Sequence, residues 1–411
     1  MNTKLIGLGL FTLTAAAVAY YPLLTASEPA PLAVPLSAQG AGQPLAITIP
    51  QPQPGARPVV EAVFVLDTTG SMGGLIQTAK DKIWSIASTL AAAQPAPIIR
   101  MGLVAYRDRG DDYVTRVVDL SPDLDKLQAE LFQLQAQGGG DGPESVNQAL
   151  HEAITRIGWS RDPGAYRVVF LVGDAPPHLD YQDDIPYAQS LAQAQQRGIR
   201  VNAIQCGHQA DTRGEWQRIA QLGNGAYLQV DQAGGAVAIA TPYDARLAKL
   251  SAELDDTRIF YGSADERERR AAEVAKAGAA KSAAAPAALA RRAEFVASPS
   301  GAASLTADQE LVDAVRSGRV DLDKLPAAAL PAPLAKLDAP ERAKVVAATA
   351  ARRETIKKEV QDLSTQRAGY LKEKVEAAGG AKDSLDHQLW STVRKQGAEA
   401  GLGYGEAGPR Y

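Results

Sequence analysis

Asp67, Thr69 and Ser71 occupy alternate positions in the run Asp67-Thr68-Thr69-Gly70-Ser71, directly after a stretch of apolar residues. One carboxylate and two hydroxyls at that spacing form an all-oxygen set. Oxygen ligands suit hard divalent cations, Mg²⁺ foremost, with Mn²⁺ or Ca²⁺ as alternatives. Two further loops can complete such a shell. Phe170-Leu171-Val172-Gly173-Asp174 is a second apolar run ending in an acid, and Ala175-Pro176-Pro177-His178 turns the chain away after it. Gly138-Gly139-Gly140-Asp141-Gly142-Pro143-Glu144-Ser145 is glycine-rich, so its backbone can approach closely, with Asp141 or Ser145 offering oxygen from the third side.

Other chemistries fit these residues less well. An aspartic-protease loop would lack the extra threonine before Gly70 and would need a second copy for its partner acid. Thr69-Gly70-Ser71-Met72-Gly73 misses the nucleophile-elbow pattern at its first glycine. No phosphate-binding G-x-x-x-x-G-K-[ST] loop occurs, and His151, His178, His208 and His387 lack zinc-type spacing. His178 reads as a turn residue, and Arg109-Gly110-Asp111 as a short polar turn. The single cysteine, Cys206, ends an apolar run and reads as a buried structural thiol. A binding module is therefore expected, not an enzyme.

The elements that must position these residues alternate in type. Val59 to Leu66 is an apolar run broken only by Glu61, as in a strand buried on both faces. Gly73 to Leu90 has helical spacing, with Leu75, Ile76, Ala79, Ile83, Ile86 and Leu90 on one stripe. Strand-like runs follow at 100–106, 166–172, 200–206 and 226–230, and helical segments at 124–135, 143–157, 185–197 and 212–222. Tyr113 to Asp119 lies close after its neighbour and suits an antiparallel edge. The alternation predicts an α/β fold, a doubly wound and mostly parallel sheet. In such a sheet ligands gather beyond the carboxyl ends of the strands, which is where Asp67 and Asp174 fall.

Taken together, the D-x-T-x-S loop, the GGGDGPES loop and the LVGDAPPH loop resemble, in order and spacing, the metal-ion-dependent adhesion site of a von Willebrand factor A (vWA) domain. The resemblance covers about Val59 to Tyr243. It is nearest in style to bacterial exported vWA proteins and to the vWA modules of alpha-kinase-like proteins. It implies that Asp67, Thr69, Ser71 and Asp174 hold a cation whose open position takes an acidic side chain of a protein partner. The family's second loop often supplies a threonine where this sequence has Asp141. An added carboxylate there lowers the net positive charge on the cation.

The flanks suggest where such a module works. Residues 1–26 read as a signal peptide or an N-terminal membrane anchor: Lys4 precedes the apolar run from Leu5 to Ala19, and Ala17-Val18-Ala19 resembles a cleavage site. The protein is thus expected to be exported, periplasmic or extracytoplasmic, possessing a Pro/Ala/Gln-rich linker over 27–58, the vWA region over 59–243 and a helical, Ala-rich region over 244–411. A formal net charge of -4 with no basic block argues against nucleic acid as a partner.

In the C-terminal region, Asp244 to Asp256 looks helical, whereas Gly278 to Arg292 shows little periodicity. Thr306 to Gln309 has capping-box spacing ahead of Leu311. Asp338-Ala339-Pro340-Glu341 opens a helix that can run to Ala378, ahead of Gly379-Gly380. Ile356, Val360, Leu363, Tyr370, Leu371 and Val375 give it a stripe suited to packing on another helix or to a short coiled coil, a route to oligomers. The function expected is an exported, divalent-metal-dependent adhesion or scaffold module. The alternative is a regulatory or assembly subunit for a separate ATPase or kinase.

Overall fold

The computed structural model describes residues 57–140, 142–306, 309–405, 408–409 and 411. The proposed export segment, nearly all of the linker, and Asp141 lie outside the described residues. Six strands form one sheet: β1 (Val59–Asp67), β2 (Ile98–Tyr106), β3 (Thr115–Ser121), β4 (Tyr166–Gly173), β5 (Ile199–Cys206) and β6 (Tyr227–Val230). Their order is β3-β2-β1-β4-β5-β6, with every pairing parallel except β2 with β3. The order reverses between β1 and β4, so the switch-point crevice opens between the ends of those two strands.

Helices cover both faces. On one lie α1 (Gly73–Ala91) and α2 (Leu124–Gln133); on the other lie α3 (Val146–Thr155), α4 (Tyr187–Gln196) and α5 (Ala210–Leu222). The strands alternate accordingly. Val60, Ala62 and Leu66 pack with Leu75, Ile83 and Trp84 of α1, while Val63 and Val65 pack with Val146, Leu150 and Leu191. Cys206 is buried in the first of these cores, and burial pushes its thiol well above the ordinary range.

The region after β6 builds on the α1 face. α6 (Asp244–Asp255), α7 (Ala264–Ala283), α8 (Pro286–Ala297), α9 (Leu311–Arg316), α10 (Ala339–Ala377) and α11 (Leu385–Glu399) are its longer helices. The segment read as aperiodic is helical: α7 and α8 bury Ala277, Ala280, Ala288, Ala290 and Ala293, and small buried residues give little hydrophobic contrast in a sequence. The cap read at Thr306 is also displaced. Glu310 caps α9, accepting from the backbone N–H groups of Val312 and Asp313 at 3.2 and 2.8 Å. Asp338 and Glu341 do form a capping box at the start of α10. The buried stripe of α10, with Ile356, Val360, Leu371 and Val375, packs against α6, α8 and α9 of the same chain.

α11 then returns to the sheet, placing Leu389 and Val393 in the α1-side core. Its Gln396 donates to Asn202 Oδ1 at 2.7 Å and accepts from Tyr166 Oη at 2.8 Å. Among the described residues no helix is long and apolar enough to cross a membrane.

Candidate metal centre

β1 delivers Asp67 to the carboxyl edge of the sheet, opposite Tyr106 at the end of β2. The Asp67 carboxylate is fully buried. Its Oδ1 accepts from Thr69 N at 2.9 Å and from Thr69 Oγ1 at 2.7 Å, which folds the loop into a tight turn. Thr69 Oγ1 in turn lies 3.4 Å from Ser71 Oγ, so the acid and both hydroxyls of the first loop converge. Asp67 Oδ2 is buried without a hydrogen-bond partner.

The second loop is sewn to the first by main-chain bonds, from Gly70 N to Gly138 O at 3.1 Å and from Gln137 N to Thr68 O at 3.2 Å. Gly139 has φ +77°, and a Cβ there would lie 3.3 Å from Glu144 Oε1 and 3.4 Å from Thr69 Cβ. Glu144 is the residue that the sequence reading passed over. It is buried, its carboxylate lies beside Thr69 and Gly139, and its Oε2 has no hydrogen-bond partner. Ser145, one of the two expected second-loop donors, donates its hydroxyl hydrogen to Asp108 Oδ1 at 2.9 Å. The signal for Glu144 was present in the GPES run, but an acid at a helix start reads first as a cap.

Asp174 follows β4 directly. Its Oδ2 accepts from Gln232 Nε2 at 2.5 Å, and its main-chain oxygen accepts from Thr212 Oγ1 at 3.0 Å. Glycine is required just before it. A Cβ on Gly173 would come within 2.5 Å of Tyr106 Oη and 3.1 Å of Asp67 Oδ2. Next to these groups, Arg109 bonds to Asp183 and Asp184 at 2.9 and 2.6 Å and stacks over Tyr181, which fixes the Arg-Gly-Asp turn in place. His178 is buried, bonded to Asp180 Oδ1 at 2.8 Å and stacked on Tyr181.

The electrostatics follow from this crowding. Burial raises Asp67 to about 7, with the Asp174 charge adding to it and the Thr69 hydrogen bonds opposing it. Burial, then the charges of Asp67, Asp108 and Asp111, push Glu144 up to about 9. Tyr106 is raised well above its usual value by burial and then by Asp67, Glu144 and Asp174.

No group of three or more His, Cys, Asp or Glu among the described residues is gathered closely enough to hold a metal by itself. The set is instead mixed: two buried carboxylate oxygens without partners, plus the hydroxyls of Thr69 and Ser71. That donor chemistry fits a hard divalent cation.

Residues 61–242 match the von Willebrand factor A domain family model. The chain is 30% identical over 121 residues to the alpha-protein kinase vwkA of Dictyostelium discoideum, and 32% identical over 120 residues to von Willebrand factor A domain-containing protein 7 of Mus musculus. Each stretch is 29% of this chain but only 19% and 12% of those relatives. Among solved structures, the SpRpn10 VWA domain is similar over 42% of this chain and 88% of that chain, at 13% identity and a TM-score of 0.33. The chain therefore carries a vWA domain, a protein-interaction module of a kind that often binds a divalent metal.

Proposed function

We propose that this chain is an exported, divalent-cation-dependent protein-binding module. Asp67, Thr69, Ser71 and Asp174 hold Mg²⁺, or Mn²⁺ or Ca²⁺ in its place, and an acidic side chain of a protein partner fills the remaining coordination position. The observation that carries this reading is the buried, partnerless Asp67 Oδ2 beside two converging hydroxyls. A buried carboxylate oxygen with nothing to bond is costly unless a cation meets it. The protein's own groups bind and orient here, and nothing in the proposed role requires bond making or breaking.

Titration calorimetry of the full chain with MgCl₂ tests the reading. Binding is expected for the wild type and loss of binding for Asp67→Ala combined with Ser71→Ala; unchanged affinity in the double variant rejects the site. The similarity to an alpha-protein kinase favours a second reading, a regulatory subunit for a separate kinase or ATPase. Partners retained from native envelopes with and without chelator separate the two.

A further inference from the structure

We propose that Arg107, which lies outside the three cation-site loops, is their positioning residue: its guanidinium fixes the spacing of the first and second loops, and that spacing discriminates among divalent ions. The inference rests on the cation-binding reading above and goes beyond it, to what sets the choice of ion. Arg107 follows directly on Tyr106, the last residue of β2, and is 3% exposed. Its Nε donates to Thr68 O at 3.2 Å and its Nη2 to Gln135 O at 2.8 Å. Its own carbonyl accepts from Ser145 N at 3.2 Å. One residue thus ties the first loop to both flanks of the second.

The tie is braced at its first-loop end. Thr68 O also accepts from Gln137 N at 3.2 Å, while Thr68 N and Oγ1 donate to Tyr106 O at 2.9 and 2.8 Å. With that hydroxyl proton committed, Tyr113 Oη is the donor in its 2.7 Å bond with Thr68 Oγ1. Arg107 and Arg116 lie over the Tyr113 ring, 4.5 and 4.0 Å from its centroid. Thr68 stands between Asp67 and Thr69, so a shift of its carbonyl shifts two proposed ligands.

The charge of Arg107 is not spent on an acid. Elsewhere in the chain, buried Arg292 meets Asp125, Arg353 meets Glu310 and Arg367 meets Asp244. Among the described residues the one ion pair of Arg107 is with Asp112, at 3.8 Å, and that side chain is 78% exposed. A pair with so exposed a partner contributes little. The guanidinium is used for its planar fork, which reaches two main-chain carbonyls at once in fixed geometry. Fixed spacing bears on ion choice. Mg²⁺ demands nearly octahedral oxygens at about 2.0–2.1 Å, whereas Ca²⁺ accepts six to eight at roughly 2.3–2.6 Å in a flexible shell. Braced loops favour the first ion, and slack loops the second.

Calorimetric titrations of the full chain with MgCl₂ and with CaCl₂ test this on the wild type, Arg107→Lys and Tyr113→Phe. Lysine keeps the charge but cannot span both carbonyls, so Arg107→Lys should weaken Mg²⁺ binding about ten-fold or more and Ca²⁺ binding by no more than about two-fold. Tyr113→Phe removes only the tie to Thr68 Oγ1 and should move the ratio of the two affinities the same way, by about three-fold. A simple loss of packing would lower the melting temperature in chelator and leave that ratio unchanged. An unchanged ratio in Arg107→Lys, or in Tyr113→Phe should the lysine variant not fold, overturns the positioning role while wild-type binding preserves the cation reading. A wild type that binds neither ion overturns both.

Discussion

The helical junction, where the C-terminal helices meet one another and α2, treats buried acids quite differently from the carboxyl edge of the sheet. At the junction each buried acid has its own cation. Asp125 receives both arms of Arg292 at 2.6 and 2.5 Å, with Lys281 at 2.8 Å. Glu310 receives Arg353 at 3.1 and 2.9 Å, and Asp244 receives Arg367 at 2.7 Å. At the edge, Asp67 and Glu144 are as deeply buried and have no such partner among the described residues. Taking an ion pair out of water is tolerable only when the geometry is good and the remaining bonds are met. The junction meets that condition from within the chain. In the proposed function the edge meets it with a cation from outside, and this difference would separate a structural ion pair from a binding site.

The largest expected effect breaks the junction. Arg353→Ala leaves the fully buried Glu310 uncompensated and removes the tie to the Thr257 carbonyl, so a loss of about 3–5 kcal/mol is expected in denaturant unfolding. Glu144→Gln in chelator should move stability the other way, because glutamine avoids burying an acid that is ionised in the unfolded chain. A loss of similar size in both would erase the distinction between the two regions.

A smaller effect should come from acid. Burial alone would raise Asp125, but Arg292 and Lys281 outweigh it and hold the carboxyl well below the ordinary range. A carboxylate whose folded pKa is depressed stabilises the fold above its unfolded value of 3.8 and loses that contribution as pH falls through the folded value. Unfolding midpoints measured from about pH 5 down to about pH 1.5 should therefore fall, and Asp125→Asn should flatten the part of that decline below about pH 4. An unaltered slope in the variant would show that other groups govern it.

Much of this molecule was legible in its residues. Strands buried on both faces leave long apolar runs, so β1 and β4 could be read directly; the largely exposed edge strand β3 was legible from its closeness to β2, and α10 from its Asp338 cap. The first loop was legible because Asp67, Thr69 and Ser71 lie within five residues. Glu144 was not: its place beside them depends on how the third loop grips its backbone, and a residue's burial is set by neighbours far along the chain. The arginines of the junction were hidden for the same reason. Arg292 and Asp125, or Arg367 and Asp244, are more than a hundred residues apart, and a buried arginine has the sequence signature of an exposed one. α7 and α8 escaped because alanine packs without a strong periodic signal.

The central claim is that the sheet edge is completed by a divalent cation, and melting of the full chain in chelator against melting in MgCl₂ tests it most directly. A ligand that binds only the folded state at about a hundred times its Kd adds roughly 2.7 kcal/mol. The wild type should therefore melt several degrees higher in Mg²⁺, and Asp67→Ala should melt at one temperature in both. Identical wild-type melting in chelator, Mg²⁺, Mn²⁺ and Ca²⁺, or a shift that survives in Asp67→Ala, would contradict the account.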